Sequence, residues 1–96
     1  MVVVWSYRAR LELKKVFDYI ALDSLKYAIL VRGELIDLTI ALSENPEKYP
    51  LDKYKINNDG SWRAFEKYRY RISYKITANQ IRIVRLRHSS KSPLHY

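Results

Sequence analysis

The side chains in this sequence with the clearest chemical potential are cations set at alternating positions. Arg69, Arg71, Ser73 and Lys75 alternate with Tyr70, Ile72, Tyr74 and Ile76, and a second run carries Arg82, Arg85 and Arg87 up to His88. A guanidinium presents a rigid fork of donors that matches two oxygens of one phosphate. Histidine is the side chain whose unperturbed pKa lies nearest neutrality. Any of these arginines could hold an anionic group, and His88 is the candidate for moving a proton.

The surrounding charge supports an anionic partner. Lys and Arg number 18 against 10 acids, a net charge of +8, and the excess is confined to one part of the chain. Residues 1–60 hold nine basic and nine acidic side chains, whereas residues 61–96 set Arg63, Lys67, Arg69, Arg71, Lys75, Arg82, Arg85, Arg87 and Lys91 against Glu66 alone. Such a field attracts polyanions, nucleic acid or an acidic protein segment. Apart from Arg71 and Lys75, these cations (Arg63, Lys67, Arg69, Arg82, Arg85, Arg87 and Lys91) are the candidate nucleic-acid-binding residues.

Other chemistries find little support. Without cysteine there is no disulfide framework and no thiolate zinc site, and no cofactor or metal is expected. Ser89 and Ser90 lie in no nucleophile turn. The opening Met-Val-Val-Val-Trp is too short an apolar run for a signal peptide, and nothing approaches a membrane span of about 20 residues, so a cytoplasmic location is expected. Ninety-six residues, 48% of them hydrophobic, suit one domain over 1–96, with 89–96 a candidate flexible tail.

The elements that must position these residues can be read in order. Val2 to Tyr7 is β-branched and aromatic and reads as a strand. Leu13, Val16, Phe17 and Ile20 recur at helical spacing from Ala9 onward. Asp23 and Ser24 supply a cap and a restart, and residues 25–43 form a second helix bearing Ala28, Val31, Leu35, Leu38 and Leu42. A neighbouring stripe of Leu25, Ile29, Ile36 and Ile40 gives that helix more apolar surface than one contact needs. Arg32 and Gly33 interrupt it, and Glu44-Asn45-Pro46 ends it.

Asp59-Gly60 launches the second half, in which Ser61 to Lys67, Arg69 to Lys75 and Ile81 to His88 read as three antiparallel strands. The apolar parity slips between Ile83 and Val84, so Arg85 and His88 do not both share a face with Arg82 unless a bulge intervenes. The expected class is α+β: a strand, a helical hairpin and a β-meander, in the order β-α-α-β-β-β.

Three segments carry a resemblance over essentially the whole length: Val4-Trp5-Ser6 entering a helix with Phe17-Asp18-Tyr19-Ile20, then Tyr70-Arg71-Ile72-Ser73-Tyr74, then Ile83-Val84-Arg85-Leu86-Arg87-His88. In their order and spacing the chain resembles the RelE/ParE superfamily of toxins from bacterial type II toxin–antitoxin pairs. The resemblance implies a sheet packed on the hairpin and a cognate antitoxin, acidic and partly disordered, in a hetero-oligomer with the toxin. That antitoxin is expected to lay a helix on the apolar stripe and acidic side chains on the basic face. The resemblance also implies one of two targets, messenger RNA cut on the ribosome or DNA gyrase poisoned without evident catalysis; a non-toxic nucleic-acid-binding relic is the remaining alternative.

Cleavage at a 2′-hydroxyl needs a base, a cation for the phosphorane and an acid for the leaving oxygen. By resemblance to the YoeB-like branch, Asp52 stands at the position of the base, Arg71 at that of the phosphate holder, His88 at that of the acid or base, and Tyr96 supplies a ring or a proton. Ser89 follows His88 where that branch has its tyrosine, and Asp52 is one methylene shorter than glutamate. The branches that use lysines as base and clamp can instead be matched by Lys53 and Lys55 with Arg71 and Arg87. The expectation leans to cleavage, with Trp62 and Tyr70 as packing residues.

Overall fold

In a computed structural model describing residues 1–93 and 95–96, the chain runs β1 (Val2–Trp5), α1 (Tyr7–Ala21), α2 (Leu25–Ile40), β2 (Trp62–Lys67), β3 (Tyr70–Ile76) and β4 (Gln80–His88). Serines set the helix starts. Ser6 Oγ accepts from the Ala9 N–H at 3.0 Å, which ends β1 two residues earlier than the apolar pattern suggests, and Ser24 Oγ accepts from the Tyr27 N–H at 3.0 Å. The helix continues through Arg32 and Gly33 without a break and closes with a 3₁₀ turn at Ala41–Ser43.

The sheet order is β1-β4-β3-β2. The meander is antiparallel as expected, while β1 lies parallel to β4 with Val2 opposite Gln80 and Trp5 opposite Ile83. One face carries the core: Phe65, Ile72, Tyr74, Ile81, Ile83 and Leu86 pack with Ala9, Val31, Leu35 and Leu42 from the helical side. Tyr74 is fully buried and donates its hydroxyl to the Pro46 carbonyl at 2.7 Å, which ties the long loop after α2 to the sheet.

The β2–β3 hairpin turns on Tyr68 and Arg69, both at positive φ (54° and 65°). Two left-handed residues suit the twist of a two-residue hairpin but strain a side chain with a Cβ. Tyr68 donates its hydroxyl to Glu34 of α2, an anchor that holds the strained turn against the helix. No helix among the described residues is long and apolar enough to cross a membrane.

Candidate functional site

The register decides which cations share a face. Between Ser73 and Tyr74 the β3–β4 ladder shifts by one residue, so Ser73 lies opposite Arg85 while Tyr74 lies opposite Ile83. Val84 is the extra residue, and this bulge restores the parity that the sequence loses there. Arg82, Arg85 and Arg87 consequently all project from the face opposite the helices, where they meet Lys75, Ser73 and Arg71 as cross-strand partners. His88 pairs with Tyr70 on the helix-side face, and their rings meet edge-on at 5.2 Å. Its Nδ1 accepts from the Ser90 N–H at 3.1 Å, which leaves the proton of the neutral ring on Nε2.

The other candidates are distributed as follows. Arg63 pairs with core residue Tyr74, and its Nη1 donates to the Tyr49 carbonyl at 2.7 Å, so it secures the loop rather than joining the outer face. Lys67 pairs with buried Tyr70 and reaches over the Tyr68 ring at 5.0 Å. Arg69 occupies the exposed turn, and Lys91 is exposed beyond β4.

Arg71 opposite Arg87, and Lys75 opposite Arg82, are like-charge pairs of a kind that weakens a sheet unless something compensates. Compensation is uneven. Arg71 Nη2 donates to Asp52 Oδ1 at 2.9 Å and Nη1 lies 3.6 Å from Glu66. Arg85 lies 3.4 Å from Glu12 of α1. Among the described residues, Lys75, Arg82 and Arg87 have no acidic partner within salt-bridge distance. A cavity of about 60 Å³ opens beside Arg87, its lining including Asp52, Arg71, Ser73, His88 and Tyr96.

Asp52 lies at the centre of the other half of this face. It is 2% exposed. Besides Arg71, its carboxylate accepts the Tyr54 N–H at 3.0 Å and the Tyr96 hydroxyl at 2.5 Å. Burial by itself would raise its pKa, but the bonds from Tyr96, Arg71 and Tyr54 outweigh that and hold it below the usual value. Three of the four residues singled out for catalysis, Asp52, Arg71 and Tyr96, are thus brought into contact; His88 bonds none of them, pairing with Tyr70 at the end of β4, but lines the same cavity. Lys53 lies over the Tyr54 ring at 5.2 Å, and Lys55 bonds the main-chain oxygens of Ile56 and Tyr96.

Residues 95 and 96 lie against this loop. The Tyr96 N–H donates to the Tyr54 carbonyl at 3.1 Å, its main-chain oxygen accepts from the Ile56 N–H, and its ring meets Trp62 edge-on at 5.6 Å. Trp62 also lies under the ammonium groups of Lys55 at 4.9 Å and Lys75 at 5.1 Å. Burial, reinforced by the bond to Asp52, pushes the Tyr96 hydroxyl up to about 12. A raised folded pKa means stability that is complete below the unfolded value near 10 and disappears as pH climbs from 10 through 12. Tyr96→Phe is expected to lose on the order of 1–2 kcal/mol at pH 8 and to show a flatter stability profile between pH 10 and 12, measured by urea unfolding.

Glu12 of α1 is a partner of the cationic strand β4 that the sequence reading misses. Beyond Ile83, β4 has no β1 neighbour, and Glu12 Oε1 accepts the otherwise open Leu86 N–H at 3.0 Å while Oε2 faces Arg85. The one available signal is its place on α1, three residues after buried Ala9 and four before Val16, where a carboxylate must border the core.

Residues 3–93 match the family described as "ParE toxin of type II toxin-antitoxin system, parDE". A solved structure titled "Chromosomal ParDE TA system from P. aeruginosa" superposes with a TM-score of 0.71 at 15% identity, covering 92% of this chain and 95% of that one. At that identity the likeness carries the fold. No curated protein sequence matches.

Proposed function

Since the chain belongs to the ParE toxin family of type II toxin–antitoxin systems, we propose that it stops growth by occupying its target, DNA gyrase, through the cationic sheet face rather than by cutting RNA. The observation that supports this reading is that none of the three groups singled out for proton transfer, Asp52, Tyr96 and His88, stands free beside Arg71; the exposed carboxylate next to it, Glu66 at 3.6 Å, is its ion-pair partner. Asp52 is fully enclosed and both its oxygens are bonded. Burial and the bond to Asp52 push the Tyr96 hydroxyl up to about 12, and His88, at the rim of the same cavity, pairs with Tyr70 and bonds none of Asp52, Arg71 and Tyr96. Lys75, Arg82 and Arg87, uncompensated on one surface, are suited instead to binding without turnover.

The matching antitoxin, in this reading, is a cytoplasmic protein whose acidic side chains cover the same face. Ribosome-dependent messenger RNA cleavage is the second reading, favoured by the contact of Asp52, Arg71 and Tyr96; it requires Asp52 to release a partner when RNA arrives. The two separate cleanly. Purified toxin is expected to stall gyrase supercoiling and to leave transcript 5′ ends unchanged on translating ribosomes. New codon-phased ends, with supercoiling intact, would transfer the protein to the cleaving branch.

A further inference from the structure

An open groove lies between α1, the start of β3 and the end of β4, on the helix side of the sheet. Glu12, Lys15, Val16 and Tyr19 recur at three- and four-residue spacing and so share one flank of α1. Leu86 and His88, two apart on β4, share a face with Tyr70, the cross-strand partner of His88. Together they border about 540 Å³, the size of a small-molecule site, and no residue of the apolar α2 stripe lines it. Val16 and Leu86 give it an apolar floor, and Tyr19, 73% exposed, offers a free ring beside them.

The polar groups of this groove are one-sided. Tyr68, Tyr74 and Tyr96 each donate their hydroxyl to an oxygen of the protein. Tyr70, only 8% exposed, has no such acceptor among the described residues, and burial raises its pKa, which keeps the hydroxyl protonated. His88 accepts the Ser90 N–H at Nδ1, and the proton this leaves on Nε2 likewise has no acceptor among the described residues. Lys15 and Lys91 are exposed and form no salt bridge among those residues, and Arg87 borders the groove as a further cation. Glu12, the carboxylate of the lining, is already engaged: Oε1 accepts the Leu86 N–H at 3.0 Å and Oε2 faces Arg85 at 3.4 Å. Donors without acceptors around an apolar floor call for a ligand with anionic oxygens at one end and a flat body at the other.

We propose that this groove binds a mononucleotide, its phosphate on the donors of Lys15, Tyr70, His88 and Lys91 and its base on the Tyr19 ring over Val16 and Leu86. An extended acidic peptide finds the strand edge occupied, because Glu12 holds the Leu86 N–H and the Lys91 N–H donates to the His88 carbonyl at 3.1 Å. A compact ligand needs neither group. Stacking and phosphate contacts reinforce each other when one molecule carries both, since the entropy of association is lost once. Neither Lys75 nor Arg82 lines the groove, so the site does not depend on the growth-arrest reading.

The test titrates the full chain, made by cell-free synthesis, with AMP, adenosine and inorganic phosphate, followed by calorimetry and amide NMR shifts. AMP is expected to bind at about 0.1–1 mM, with adenosine and phosphate each at least about tenfold weaker, and to move the amides of Lys15, Tyr19, Leu86 and Ser90. Lys15→Glu should weaken AMP binding about tenfold, whereas Lys14→Glu, the same charge change one residue away and outside the groove, should alter it less than about twofold. Tyr70→Phe should weaken it severalfold while the melting temperature holds or rises, because the hydroxyl removed has no partner within the protein. No binding up to about 10 mM AMP, binding no tighter than that of inorganic phosphate, or shifts confined to Lys75 and Arg82 on the outer face would each overturn the proposal.

Discussion

Asp52→Asn is expected to lower the unfolding free energy by about 3 kcal/mol, the low end of the range for removing one partner of a buried ion pair. The substitution takes the charge from a carboxylate with no exposed side-chain surface, leaving Arg71 with Glu66 at 3.6 Å as its remaining acid. It also weakens the acceptors for the Tyr54 N–H and the Tyr96 hydroxyl. For a domain of this size the midpoint should fall by about 12–20 °C. The pH profile distinguishes this from a packing defect. A depressed folded pKa contributes stability that is present above the unfolded value of 3.8 and lost as pH falls through the folded one. The native chain should therefore lose stability below about pH 4 more steeply than Asp52→Asn does, measured by calorimetry or urea unfolding from pH 2 to 7.

The second large effect separates binding from folding. Arg82→Glu with Arg87→Glu should reduce affinity for the target by about a hundredfold and abolish growth arrest, because two uncompensated cations become anions on the surface offered to it. Stability should hold or rise. Each glutamate lies opposite a cation, Lys75 or Arg71, and so converts a repulsive cross-strand pair into an attractive one. Plating efficiency and a melting curve on the same variant check the two halves. A variant that folds and still arrests growth would remove the sheet face from the mechanism, and His88→Ala, altered on the opposite face, should remain toxic.

Most of the architecture was legible because periodicity reports burial. The alternation from Tyr70 to Ile76 and the three-and-four spacing of Ala28, Val31, Leu35 and Leu42 each mark a surface that faces the core, and those residues are buried there, apart from half-buried Ile76. Strand order was less accessible. Nothing local in Val-Val-Val-Trp specifies that it lies parallel to β4, since that pairing depends on contacts with residues 80–83.

The site follows the same division. The parity slip at Val84 announced a bulge, but which arginines it gathers needed the register. Arg63 shows the limit. It continues the basic composition of the second half, yet one residue of offset from Trp62 directs it to the helix-side face. Asp52, Tyr54 and Tyr96 meet through a loop and residues far apart in sequence, connections that carry no period.

The position of β1 bears on how the protein comes into being. Val2 finds its neighbour at Gln80, 78 positions further along the chain. Pairing across so long a separation closes late, after the entropy of the intervening loop has been overcome. During synthesis, therefore, the sheet stays incomplete until β4 has been made, and the arginines of β4 are the last of the outer-face cations to be added. If the sheet face is the acting surface, as proposed, the growing chain lacks it for most of translation, an interval in which an antitoxin could meet it.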